Sequence, residues 1–342
     1  MNILLTGYTG NVGLEIARHL AKHRIHALVR DPSRAPATEN VFLVPGTLKE
    51  LPDALAPEIE MIIHSAASIA FRAPLAELRD VNVTGTAALL GFAKRCPRLK
   101  KFVHVSTTCV AGDRRGRIAE TRMTVRPGFI NAYEQSKWEA EDVVLSSGLP
   151  VEIARLAIVA GSEANGFVRR PGALHSALFW LYRGLVPMVP GTAESRVDLI
   201  STEFAAREVA LLTCARVQPG RIVHATMGDS APRLGELLDF LAGQFAARHQ
   251  GWARGSIVLP DIVDATTFEL FEAAVRQSGD ALFKRVSEDA RSFLPGLLYP
   301  RTFAASLAEE AAPADWRTLT GRVFEWLFAN EWGRQPQISH AA

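Results

Sequence analysis

The chain opens MNILLTGYTGNVGLEIARHLAKH (residues 1–23), and the reading of this stretch decides the fold. Ile3 to Thr6 is a short apolar run suited to a buried strand. Gly7, Gly10 and Gly13 follow in GxxGxxG spacing, after which Leu14, Ile16, Ala17 and Leu20 set an apolar helical face. Strand, glycine turn and helix in direct succession is the context in which such glycines cradle a dinucleotide. Gly7 permits the tight turn, Gly10 lets backbone approach a pyrophosphate, and Gly13 lets the helix pack on the sheet. The free amides at the helix start then face the anion.

Working outward, RIHALVR (24–30) reads as a second strand. At its end an NAD-selective fold carries an acid for the ribose hydroxyls, whereas this chain has Arg30 followed by Asp31. An arginine can pair with a 2′-phosphate, so NADP(H) is favoured over NAD(H), with Arg34 assisting. The alternative leaves Arg30 solvated and Asp31 on the ribose. Val41 to Pro45 is a third strand, and GTLKELPDAL after it reads as a turn and helix. Met61 to His64 is a fourth strand ending in HSAAS, where small Ala66 and Ala67 would let a cofactor pass close to the chain. A helix over 78–96 holds Asn82, which is unfavourable in mid-helix unless it bonds something. KFVHVS (101–106) is a fifth strand, with Ser106, Thr107 and Thr108 placing hydroxyls at its carboxyl end. That is where ligands bind in parallel sheets.

In NAYEQSK (131–137), Tyr133 and Lys137 stand four residues apart on an expected helix, so they share one face. A nearby ammonium favours phenolate, and a phenol tuned towards neutrality can exchange a proton in carbonyl chemistry. VEIARLAIV (151–159) reads as a sixth strand. The alternation of strands and helices predicts an α/β fold with a doubly wound parallel sheet. Residues 1–165 form its dinucleotide-binding part, which receives a later strand near 221–225. Residues 166–335 read as a mainly helical substrate-binding cap that does not fold independently. ALHSALFWLYRGLVPMVP (173–190) is a buried or ligand-facing helix plus a strand, 317–332 is an apolar amphipathic helix, and the final decapeptide looks frayed.

Composition narrows the function classes. There are 38 basic and 36 acidic residues and no basic tail, so nucleic acid is not the expected partner. Cys96, Cys109 and Cys214 have no metal or redox spacing and fit reduced thiols in the cytoplasm. No apolar run is long enough to suggest a membrane span. The expected assembly is a monomer or homodimer.

TGYTGNVG, HSAA, NVTGT, the STT strand end and YEQSK, in this order, resemble the extended short-chain dehydrogenase/reductase superfamily over roughly the first 160 residues. IIHSAASIAF, LRDVNVTGT and FVHVSTTCVAG look like its male-sterility, fatty acyl-CoA reductase and thioester reductase branch, as do VPGTAESRVDLISTEFAAREVA and LLYPRTFAASL. The resemblance implies that Tyr133 is the proton donor and that Lys137 binds the nicotinamide ribose and depresses the tyrosine pKa. It implies that Thr107 (or Ser106, one register off) bonds the substrate oxygen and that Asn82 supports a proton relay. Gly7, Gly10 and Gly13 would carry the phosphate loop, with Thr9, Asn11 and Val12 along the pyrophosphate. Arg30, Leu48, Ala66 and Ala67 complete the expected cofactor contacts. Three positions depart from the pattern: Gly46-Thr47-Leu48 where relatives have Gly-Asp-Leu, Arg155-Leu156 where Arg-Pro is usual, and Val110-Ala111-Gly112 after the STT strand. The implied activity is NADPH-dependent reduction of a carbonyl or thioester on a small-molecule or carrier-bound acyl chain. The arginine-rich loop 111–130 offers itself to phosphate groups or to solvent. A sugar-nucleotide epimerase or dehydratase, or a ketone/hydroxysteroid-type oxidoreductase, is the alternative; an intact Asn82, Thr107, Tyr133 and Lys137 set argues against a non-catalytic relative.

Overall fold

In the computed structural model, which describes residues 1–248, 258–291, 294–306 and 312–333, strand β1 (Asn2–Thr6) buries Ile3, Leu4 and Leu5 completely. Helix α1 (Gly13–His19) starts on the third glycine of the opening motif. β2 (Arg24–Val29), β3 (Val41–Pro45) and β4 (Met61–His64) follow. Helices α2 (Leu75–Arg79) and α3 (Gly85–Ala93) are joined by a π-helical turn, Asp80–Thr84, that carries Asn82. β5 (Lys101–Thr107) leads to the short β6 (Gly116–Ile118), then α4 (Ala132–Leu145) and β7 (Val151–Leu156). β8 (Ile158–Gly161), α5 (Ala173–Tyr182), β9 (Met188–Pro190), β10 (Leu199–Ser201) and α6 (Thr202–Cys214) precede β11 (Ile222–Ala225).

Seven of these strands form one sheet in the order β11-β7-β5-β4-β1-β2-β3, with every pairing parallel. Helices cover both faces, which is why the central strands read as nearly continuous apolar runs. The sheet grows from β1 through β2 to β3 in one direction and from β4 outward in the other. The reversal lies between β1 and β4, so the connections leaving their carboxyl ends part and open a crevice.

The chain continues through α7 (Leu234–Ala246), β12 (Asp261–Val263), α8 (Ala265–Gln277), α9 (Ala281–Ala290), β13 (Arg301–Phe303) and α10 (Trp316–Ala329). Of three parallel two-stranded pairs, β8–β10 and β6–β13 tie residues beyond 165 to the first part, and β9–β12 joins two segments of the later part. One buried cluster joins Ile3, Ile63 and Val103 of the sheet to Phe204, Leu241, Phe324 and Leu327. The helix and strand expected within 173–190 are α5 and β9, and the helix expected over 317–332 is α10. The expectation for the final decapeptide falls on 333–342, of which all but Gly333 lie outside the described residues.

Two expectations are corrected. Residues 46–55 hold no α-helix, only a 3-10 turn at Asp53–Leu55. Pro52 has no amide hydrogen to give and disfavours the helical conformation at Leu51. The strand expected over 151–159 is two strands that part at Ala157. Its amide still bonds the Ala225 carbonyl at 2.9 Å, whereas the Ile158 amide donates to Asp198 O at 3.1 Å. The chain thus leaves the main sheet to pair with β10, and the carboxyl edge of β7 is left open to a cavity.

Candidate active site

The glycine loop fits a pyrophosphate by leaving no room for anything but backbone. Gly7 adopts φ of 78°, and a Cβ there would lie 2.6 Å from the Ala66 nitrogen. A Cβ on Gly13 would lie 2.1 Å from the Gly7 carbonyl oxygen. The loop after β1 is therefore pressed against the loop after β4, and Ala66 N donates to Thr6 Oγ1 at 3.2 Å across the same seam. Gly10, Asn11 and Val12 line a cavity of about 370 Å³ at the carboxyl edge of the sheet, together with Ala67. Gly7, Thr9, Gly13 and Ala66 shape this cradle without lining the cavity. The Asn11 amide holds the backbone of residue 170: Nδ2 donates to Arg170 O at 3.1 Å and Oδ1 accepts from Arg170 N at 2.9 Å.

Arg30 is exposed one residue past β2. Asp31 is engaged locally, accepting from Ser33 N at 3.0 Å and Ser33 Oγ at 2.6 Å. The Ser33 hydroxyl and amide hold its carboxyl below the usual range. Leu48 packs against Gly85 at the start of α3, and neither it nor Arg30 lines the cavity.

Thr107, Tyr133 and Lys137 all line that cavity. Helix α4 is started by a reciprocal cap: Asn131 Oδ1 accepts from Glu134 N at 2.9 Å, and Glu134 Oε2 accepts from Ile130 N at 3.0 Å. This turns Tyr133, Ser136, Lys137, Ala140, Glu141 and Val144 inward. Tyr133 is 8% exposed, and its ring meets Phe71 edge-on at 4.8 Å. Burial pushes its phenol above the ordinary value, Cys109 and Glu134 push the same way, and the Thr107 hydroxyl opposes them. This differs from the expectation that Lys137 depresses the phenol. Lys137 Nζ instead donates to Val105 O at 3.0 Å and contacts His104 Nε2 at 3.2 Å. Burial brings the Lys137 ammonium down to about 8, with Glu141 opposing.

Asn82 does not line the cavity. It is fully buried, and its Oδ1 accepts from Ser68 N at 2.7 Å while Nδ2 donates to Ser68 O at 3.0 Å and Ser136 Oγ at 2.9 Å. Ser136 Oγ in turn donates to Tyr133 O at 2.8 Å. The side chain thus braces the segment after β4 against α4, and the π-helical turn provides the local widening from which it reaches both.

The sequence reading missed several residues of this site. Glu134 lines the cavity, and burial pushes its carboxyl up to about 7, with the Ile130 amide and Arg301 opposing. His64 ends the otherwise apolar strand β4 and His104 sits between Val103 and Val105 in β5, both buried, a signal that was available. Arg196, Asp198, Tyr299 and Arg301 reach the cavity from the later part of the chain, and no spacing announces them. The arginine-rich loop is largely satisfied locally. Arg114 donates to Val125 O at 2.6 Å, Arg117 pairs with Asp229 and Arg122 with Asp142, while Arg126 lies over Phe129. Arg115 lies 5.2 Å from the ring of Tyr299, a cavity residue. Among the described residues no cluster of His, Cys, Asp or Glu could hold a metal, and no helix is long and apolar enough to cross a membrane.

The doubly wound sheet, the glycine cradle at its switch point and the Tyr133–Lys137 helix beside the STT strand end are arranged as in the extended short-chain dehydrogenase/reductase superfamily, whose enzymes bind NAD(P). Residues 46–209, just under half of the chain, match the family model described as Male sterility protein. The chain is 27% identical over 209 residues to a glycine betaine reductase of Emericella nidulans, covering 57% of this chain and 16% of that protein. It is 44% identical over 68 residues to the chloroplastic fatty acyl-CoA reductase 2 of Arabidopsis thaliana, covering 20% of this chain and 11% of that protein. The chain therefore spans well under a fifth of the length of these two relatives. In fold it resembles the terminal R domain of the myxalamid PKS-NRPS pathway, with TM-score 0.76 and 22% identity over 98% of this chain and 92% of that one.

Proposed function

We propose that the chain reduces a carbonyl or thioester on an acyl chain attached to coenzyme A or to a carrier protein, using NADPH in preference to NADH. The observation that carries this reading is one cavity with Thr107, Tyr133 and Lys137 on its wall and the backbone cradle of Gly10 to Val12 beside them. Ile69, Phe71, Ile130, Leu174, Leu297 and Phe303 give the cavity an apolar lining. Such a lining suits a hydrocarbon chain better than a sugar diphosphate. The names of the two relatives, both reductases, point the same way. Residues 166–335 serve as the substrate-binding cap.

When bound, the dinucleotide supplies the hydride. Tyr133, kept protonated by burial, delivers its proton to the oxygen on which negative charge gathers. The Thr107 hydroxyl donates to the same oxygen. Lys137 has two of its three donors placed on Val105 O and His104, which leaves one for a ribose hydroxyl. Asn82 keeps α4 and the segment after β4 at a fixed separation. Preference for the 2′-phosphate rests on Arg30, because the Asp31 carboxylate is already engaged by Ser33.

The test is NADPH consumption by the purified chain across acyl-CoA and acyl-pantetheine thioesters. Tyr133→Phe is expected to lower turnover by about a hundredfold or more. Unchanged turnover in that variant, or turnover of a nucleotide sugar with no NADPH loss on any thioester, overturns the reading. Arg30→Ala is expected to weaken NADPH binding by about tenfold and to leave NADH binding unchanged. Equal effects on both cofactors remove the phosphate role.

A further inference from the structure

His64 and His104 lie side by side with ring centroids 5.2 Å apart, both fully buried, and neither lines the cavity. His64 has a complete set of partners. Thr86 Oγ1 donates to Asn82 O at 2.6 Å, so it accepts from His64 Nε2 at 2.8 Å. Burial keeps the ring neutral, so with Nε2 donating, Nδ1 accepts from Thr6 Oγ1 at 2.8 Å. His64 is thereby a neutral strut between β1 and α3.

His104 differs. Its Nε2 is 3.2 Å from Lys137 Nζ, and an ammonium can only donate, so Nε2 is the acceptor and the ring proton sits on Nδ1. Nδ1 is buried with no hydrogen-bond partner. An unpartnered buried donor costs stability, and an apolar residue in this strand would avoid the cost. What the imidazole provides in exchange is a fixed acceptor for Lys137. We propose that His104 is a positioning residue: with the Val105 carbonyl it locks two donors of the Lys137 ammonium and so orients the third towards a bound cofactor. The proposal rests on reading this cavity as the cofactor site, but not on the identity of the substrate.

The experiment is a double-mutant cycle on cofactor affinity. NADPH and NADH binding to the intact chain are titrated by fluorescence for wild type, His104→Leu, Lys137→Met and the double variant, with thermal unfolding recorded for each. His104→Leu is expected to weaken binding about tenfold, and to add nothing once Lys137 is Met. His104→Gln, whose side-chain oxygen can accept where Nε2 did, is expected to return affinity to within about threefold of wild type. Wild-type affinity in His104→Leu, equal losses in both Lys137 backgrounds, or no recovery by Gln overturns the proposal. Should His104→Leu not fold, His104→Asn replaces it in the cycle. Its shorter amide stops short of Nζ, so it is expected to show the same loss, and wild-type affinity there also overturns the proposal. Unchanged turnover in Tyr133→Phe defeats the assignment of the reaction alone, and leaves this cycle to be judged on its own readout.

Discussion

At Glu134 one carboxyl closes the first turn of α4 and also faces the cavity. Burial raises its pKa from the ordinary 4.5 to about 7. Between those two values the folded protein holds a proton that the unfolded chain has released. The stabilisation is therefore complete below the lower value and is lost as pH rises through the upper one. Glu134→Gln keeps an acceptor for the Ile130 amide and removes the titration. Wild type is expected to lose up to about 3 kcal/mol relative to this variant between about pH 4.5 and 7.5, read from urea unfolding at several pH values. Parallel pH profiles for the two proteins would refute the assignment. The sequence made the Tyr133–Lys137 spacing plain because a helix repeats predictably. The direction of the phenol's shift was not legible, since it depends on how deeply a neighbouring element buries the ring and on where Nζ finds its partners.

Helix α4 owes its seating to a second buried charge. Arg155 on β7 grips Glu141 through Nε to Oε1 at 2.9 Å and Nη2 to Oε2 at 2.7 Å, and its Nη1 reaches His224 Nε2 on β11 at 3.4 Å. Removing one member leaves an uncompensated charge in the interior. Glu141→Ala is thus expected to cost about 3–5 kcal/mol in denaturant unfolding, and Glu141→Leu combined with Arg155→Met to recover most of it. A loss below about 1 kcal/mol for the single variant would show that water reaches the pair. At this scale most strands and helices were legible from their apolar periods. The break between β7 and β8 was not, because VEIARLAIV is apolar on both sides of Ala157 and only hydrogen bonds to β10 and β11 decide where it divides. Helix content after β3 was overestimated because Pro52 outweighs the apolar pattern around it.

Across the whole molecule, the cavity is closed by residues from distant parts of the chain. β13 pairs with β6 in register Arg301↔Gly116, Thr302↔Arg117 and Phe303↔Ile118, and Arg301 Nη1 donates to Gly112 O. These contacts anchor the arginine-rich loop. Thr302→Pro, which removes an amide from so short a ladder, is expected to destabilise by roughly 1–3 kcal/mol and to make the arginines of that loop much faster sites of tryptic cleavage. Unchanged cleavage would mean the loop is held by other contacts. The sequence showed the later region to be helical, yet it could not show which of its side chains return to the site. Those contacts follow from the path of the chain and have no spacing to read. The β6–β13 pairing also has a consequence for biosynthesis. A ribosome completes the seven sheet strands, the glycine loop and Tyr133 well before it adds Arg301 and Phe303. Until those residues emerge, Leu156 and Ile158 border a cleft with one wall missing. Each nascent chain therefore passes through an interval in which an apolar trough lies open to other chains, and the yield of folded protein should depend on translation speed and on chaperones that shield the trough.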